Sequence, residues 1–137
     1  LIIAGAGAFK EVLTVSGVSN NIAGVLEGWP LHPLVLAWII ACIIRVCIGS
    51  ATVAGLTTAG IVAPLVVQGR ADPNLMVLSI GAGSLMFSHV NDGGFWLFKE
   101  YFNLSVKDTL RSWSLMETIV AIVGLIAVMI LNVFVGR

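Results

Sequence analysis

Residues 34–67 read LVLAWIIACIIRVCIGSATVAGLTTAGIVAPLVV, an apolar run of 34 residues with Gly49-Ser50-Ala51-Thr52 at its middle. One straight helix of that length would be about 51 Å, against a hydrocarbon core of about 30 Å. The run must therefore break, and the small, partly polar Gly49–Thr52 tip is the place. Each arm is then about 15 residues, or about 22 Å, too short to cross the core comfortably. Two short arms meeting at such a tip predict a re-entrant hairpin. Non-helical backbone at membrane depth is tolerated only where it lines protein or a water-filled cavity. Two short tilted spans joined by a tight surface turn are the alternative.

The composition of the whole chain supports a membrane setting. Of 137 residues, 58% are hydrophobic and 10% charged, against roughly a quarter charged in soluble proteins. Mean hydropathy is +1.05. Seven basic and seven acidic residues cancel, so there is no electrostatic footprint for nucleic acid. The chain opens at Leu1 inside an apolar run, with no initiator Met and no signal-peptide pattern,. It is expected to be the C-terminal part of a longer transporter-like protein. Cys42 and Cys47 are spaced for neither a zinc motif nor a redox pair and read as small packing residues,.

Outward from the hairpin, residues 1–9 look like the tail of a helix, and 10–27 like an amphipathic helix with Val15, Val18, Ile22 and Val25 on one face,. Residues 28–33, with Trp29, Pro30 and Pro33, form a loop, and 68–74 form a polar surface loop,. A broken helix follows: one half over 75–87, a polar break at Ser88-His89-Val90-Asn91-Asp92-Gly93-Gly94, and a second half over 95–102. Residues 103–114 are a charged linker. Leu115 to Val135 spans 21 residues, about 32 Å of helix and long enough to cross. Glu117 near its start and Asn132 near its end suit the two interfaces. Lys99, Lys107 and Arg111 place the 99–112 region in the cytoplasm by the positive-inside rule,. Loops 28–33 and 68–74 then lie outside, as does Arg137.

Polar groups at membrane depth cost several kcal/mol each unless satisfied, so they mark candidate function. The tip, Gly49, Ser50, Ala51 and Thr52, lets backbone approach a ligand. Its hydroxyls and helix-end N–H groups suit an anion or a hydroxylated solute. A packing notch of small residues is the bland alternative. Arg45, four residues before Gly49, keeps its charge and so needs an acidic partner or an anionic ligand. It is either an anion clamp or one half of a structural ion pair. The break offers Ser88, Asn91, Gly93 and Gly94 as further substrate contacts. His89 and Asp92 are its proton-coupling candidates, because a carboxylate at depth must be neutralised by a proton, a cation or a solvated cavity. A surface loop between two short helices is the competing view of this segment.

At these residues the chain resembles the gluconate permease family, gluconate:proton symporters of the ion transporter superfamily. Arg45-Val46-Cys47-Ile48-Gly49-Ser50-Ala51-Thr52-Val53-Ala54 carries the likeness, with Thr57-Thr58-Ala59-Gly60 after it. Gly81-Ala82-Gly83-Ser84, the run Ser88 through Lys99, Tyr101-Phe102-Asn103-Leu104 and Thr109-Leu110-Arg111 add to it. Ala6-Gly7-Ala8-Phe9-Lys10 and Ser16-Gly17-Val18 also fit. The likeness covers essentially the whole chain as the C-terminal third of such a permease, and the His-Val-Asn-Asp-x-Gly-Phe-Trp block is its specific part.

The resemblance implies an all-α integral membrane fold of inverted repeats, each with a re-entrant hairpin and a broken helix. This chain would be the second repeat, less its first helices, closed by a C-terminal spanning helix. The implied activity is proton-coupled uptake of gluconate or a related hydroxy acid across the inner membrane. Ser50, Thr52 and the 88–94 break would form half of a substrate site completed at the repeat interface. Expected partners are a sugar-acid substrate, protons, the lipid bilayer and the remaining N-terminal part of the permease, with a homodimer as a candidate assembly. No cofactor or metal is expected. A scaffold or channel subunit without coupled transport is the alternative, though no ring of repeated polar groups suggests a pore. A membrane enzyme is weaker still, since one His and one Asp near Ser88 make no convincing triad.

Overall fold

The computed structural model describes residues 31–135 and the single residue Val15. The expectations for 1–9, 10–27, the Gly28–Pro30 part of the first loop and Arg137 lie outside these residues. All regular structure among the described residues is helical.

Helix α1 runs Pro33–Ile48. His32 caps it, its Nδ1 accepting from the Leu34 amide at 3.3 Å, and Pro33 fills a first-turn position where no N–H is needed,. The helix stops at Gly49, which adopts φ 79°. That left-handed turn suits a residue without a Cβ. Ser50 then caps α2, Ala51–Val67, its Oγ accepting from the Val53 amide at 3.3 Å. The two helices have 16 and 17 residues, about 24 and 26 Å of rise, each short of a 30 Å core. They pack on one another across the break.

Asp72 caps α3, Pro73–Gly83, accepting from the amides of Asn74 and Leu75 at 2.8 and 3.1 Å. The chain then leaves helical geometry over 84–92 and resumes in α4, Gly93–Tyr101. The first half-helix thus ends four residues before the expected 87, and residues 84–87 are turn. Phe87 sits there at φ 42°, a conformation that costs a bulky residue energy and marks the start of the break.

The largest departure from expectation is at the last helix. Residues 103–114 are expected to be a linker, yet one helix runs without interruption from Val106 to Val135. It comprises α5, Val106–Thr109, a π turn at Leu110–Ser114, and α6, Leu115–Val135. Ser105 starts it: its Oγ accepts from the Asp108 amide at 3.2 Å and donates to the Asp108 carboxylate at 2.6 Å. A Ser capping the third residue of a helix outweighs the charged composition that made this stretch look like a linker.

α3 is the central element, packed against α1, α2 and α6. The core joins Leu34, Ala37 and Ala41 of α1, Val62 and Leu65 of α2, Leu75, Met76 and Ile80 of α3, and Val128 of α6. Helix approach is close: a Cβ on Gly83 would fall 2.6 Å from the Trp38 carbonyl oxygen. Small residues at such crossings are how helices pack where hydrocarbon surrounds them. Two polar ties cross the layers, Ser79 Oγ donating to the Leu34 carbonyl at 2.6 Å and Trp38 Nε1 to the Ala121 carbonyl at 3.0 Å. The outer face of α6 carries Ile119, Val123, Ile126 and Ile130, each about half exposed. An apolar face of that extent calls for lipid or further protein.

Candidate functional site

The break after α1 and the break before α4 touch. A Cβ on Gly49 would lie 2.3 Å from the Asn91 carbonyl oxygen, so only glycine lets the two backbones meet. Asn91 Nδ2 donates to the Val46 carbonyl at 2.9 Å and reaches that of Cys47 at 3.5 Å. These are carbonyls of the last turn of α1, where no intrahelical donor follows. One break therefore caps the other.

Beneath that junction lies an ion cluster. Arg45 is only 2% exposed, and its Nη2 donates to Asp92 Oδ2 at 2.6 Å and to Glu117 Oε2 at 3.2 Å. Three elements thus converge on one guanidinium: the last turn of α1, the cap of α4 and the start of α6. Asp92 does double duty, because its Oδ1 accepts from the Gly94 amide at 3.0 Å as the cap of α4. Ser88 Oγ donates to Asp92 Oδ2 and accepts from Trp113 Nε1, the latter at 2.8 Å. Ser114 Oγ donates to the Ser88 carbonyl. Ser88 is fully buried, so the broken segment is tied to the π turn at its base.

The charges in this cluster do not cancel. One guanidinium faces two carboxylates, and both bind the same nitrogen. Arg45 Nε and Nη1 are buried with no hydrogen-bond partner among the described residues. A guanidinium does not lose its proton, so among the described residues one negative charge is in surplus, to be met by a proton, another cation or solvent,. Arg45 is thus paired with Asp92 and Glu117.

Not every sequence-derived candidate joins the cluster. Ser88, Asn91, Asp92, Gly49 and Arg45 meet. His89 turns to its own loop, its Nδ1 3.2 Å from the Phe87 carbonyl and its ring 5.4 Å from that of Phe87. Ser50 has its hydroxyl committed to capping α2. Ala51 and Thr52 line a different hollow of about 470 Å³ between α2 and α3, walled by Gly55, Leu56, Ile80 and Gly81. Gly94 borders a third space of about 270 Å³ with Phe98, Tyr101 and Trp113, and Gly93 is exposed beside it. Both hollows are mostly apolar, a poor match by themselves for a polyhydroxylated acid. Among the described residues no three His, Cys, Asp or Glu side chains group as metal ligands.

Glu117 is a member of the cluster that the sequence reading did not count among the site residues. Its signal was present: it is the sole charged residue in the 21 residues of α6, and an acid inside an apolar span is by default a functional group. The helix starts at Val106, which puts Glu117 about 17 Å along it and away from the end,.

Residues 1–134 match the family model described as GntP family permease. The chain is 52% identical over 132 residues to a high-affinity gluconate transporter of Escherichia coli K12, covering 96% of this chain and 30% of that protein. It is 55% identical over 131 residues to the Gnt-II system L-idonate transporter of the same organism, with 96% and 30% covered. A gluconate permease of Bacillus subtilis is 52% identical over 137 residues, with 98% and 30% covered. The chain therefore spans about 30% of the length of these relatives. No solved structure matches it. The family is one of membrane permeases, not of enzymes, and over nearly its whole length the chain belongs to the GntP permease family.

Proposed function

We propose that this chain is the C-terminal membrane portion of a multi-pass inner-membrane symporter. The full protein takes up gluconate or a related sugar acid together with protons. The relatives' names support the substrate class, since they specify gluconate and L-idonate. The observation that carries the coupling is the cluster of one buried guanidinium and two half-buried carboxylates where the helix breaks meet. A surplus half-buried carboxylate is a place to hold a proton, and a broken-helix junction is where such transporters bind their cargo.

In this reading α1 and α2 form a re-entrant hairpin, α3 and α4 one broken helix, and Val106–Val135 the final span. Ala51, Thr52, Gly93 and Gly94 face half of the substrate site, and Gly49, Ser50, Ser88 and Asn91 hold the two breaks that shape it. The missing N-terminal part supplies the polar groups that the apolar hollows beside Thr52 and Gly94 lack. The proton resides in the cluster around Arg45, with Asp92 the member contributed by the break and His89 a nearby titratable group outside it.

Counterflow of labelled gluconate into vesicles carrying the full-length permease tests the substrate. Gluconate should drive its own labelled form inward, idonate and related hydroxy acids should compete, and unrelated anions should not. Failure of gluconate and of every sugar acid to elicit counterflow would remove this reading.

A further inference from the structure

We infer that Glu117 is the carboxylate that takes the coupled proton, while Asp92 stays ionised as the fixed counterion of Arg45. This assignment rests on the proton-coupled reading above and names the group within it.

The two acids differ in how they are held. Asp92 Oδ2 accepts from Arg45 and Ser88, and Oδ1 from the Gly94 amide. All three neighbours donate to it, and Ser88 also accepts from Trp113, so its hydroxyl is oriented toward Asp92. A proton added to Asp92 would face donors only and would loosen the cap of α4. Glu117 has a single bond, the longer 3.2 Å contact from Arg45 to Oε2. Its Oε1 has no hydrogen-bond partner among the described residues. It can accept a proton there without breaking another contact.

The surroundings point the same way. Among the described residues the charged groups facing Glu117 are Arg45 from α1 and Asp92 from the break. α3, packed along α6, carries no titratable side chain. The cysteines of α1 make no hydrogen bond to Glu117, Arg111 of the π turn is exposed, and His32 bonds Asn132 toward the other end of α6. Both acids share one nitrogen of Arg45, so neutralising Glu117 removes a like charge and strengthens the Arg45–Asp92 pair,. It also brings the cluster from one net negative charge to none. A sugar-acid anion approaching the break is repelled by the first state and not by the second. Proton and anion therefore enter together and leave together, as symport requires.

The test uses the full-length permease in vesicles. Under an acid-outside gradient the wild type should accumulate labelled gluconate, and Glu117→Gln should lose accumulation while retaining exchange of labelled for unlabelled gluconate. A folded Glu117→Gln that still accumulates, or that loses exchange as well, overturns the assignment. A second readout needs no variant. Dicyclohexylcarbodiimide, an apolar reagent that adds to protonated carboxyls, is applied to the wild type at acid pH and the adduct located by mass spectrometry. An adduct on Glu117 and not on Asp92 is expected; an adduct on Asp92 alone, or on neither, overturns the assignment. Absence of any gradient-driven accumulation by the wild type would instead sink the proton-coupled reading itself.

Discussion

Replacing Arg45 by Met removes the cation that two half-buried carboxylates share. The guanidinium is 2% exposed, and the side chains of Asp92 and Glu117 only 15% and 12%. Losing one member of a buried pair costs about 3–5 kcal/mol, because the charge left behind stays desolvated. Here two like charges are left facing each other, so the upper end of that range applies. Arg45→Met in the full-length permease should lower the apparent melting temperature in mild detergent by about 3–5 °C. The triple change Arg45→Met, Asp92→Asn, Glu117→Gln should recover most of the loss, since a neutral site of similar volume carries no buried charge. Fluorescence-detected size exclusion after a temperature ramp reads both variants. An Arg45→Met protein as stable as the wild type would refute the buried cluster. A triple variant no better than the single one would show that packing, and not charge, sets the loss.

Gly49→Ala adds a Cβ 2.3 Å from the Asn91 carbonyl oxygen at a residue with φ 79°. The left-handed conformation alone costs roughly 1–2 kcal/mol, and the clash adds roughly 1–3 kcal/mol; thermal stability and gluconate exchange should both fall, and unchanged values would mean that the two breaks do not touch. Orientation is checked with cysteines in a background lacking Cys42 and Cys47. A cysteine at Asn103 should be shielded from a membrane-impermeant thiol reagent added outside, and one at Arg70 should react; the reverse pattern inverts the topology.

The helix break at Gly49–Thr52 was legible because two local facts coincide there: an apolar run too long for one span, and a small polar tip at its middle. The second break was legible from its polar residues between apolar halves, but it runs 84–92, and Gly93 and Gly94 already belong to α4. The Arg45–Asp92 pair was a candidate by charge alone, because the partners are 47 positions apart and no periodicity relates them. Composition alone made 103–114 a linker, whereas the Ser105 cap and a π turn extend the helix back to Val106. With the helix begun at Val106, Glu117 lies about 17 Å along it and not at its first turn,. His89 shows the converse: its residue type suits proton transfer, but the turn through Phe87 holds it off the cluster.

The most direct test of the central claim is a pH trace. De-energised vesicles carrying the full-length permease are suspended in weakly buffered medium, and unlabelled gluconate is added outside. The account predicts that the medium turns alkaline as gluconate enters, that the change is abolished by a protonophore, and that Glu117→Gln vesicles give none. Entry of gluconate with no movement of protons in the wild type would contradict it.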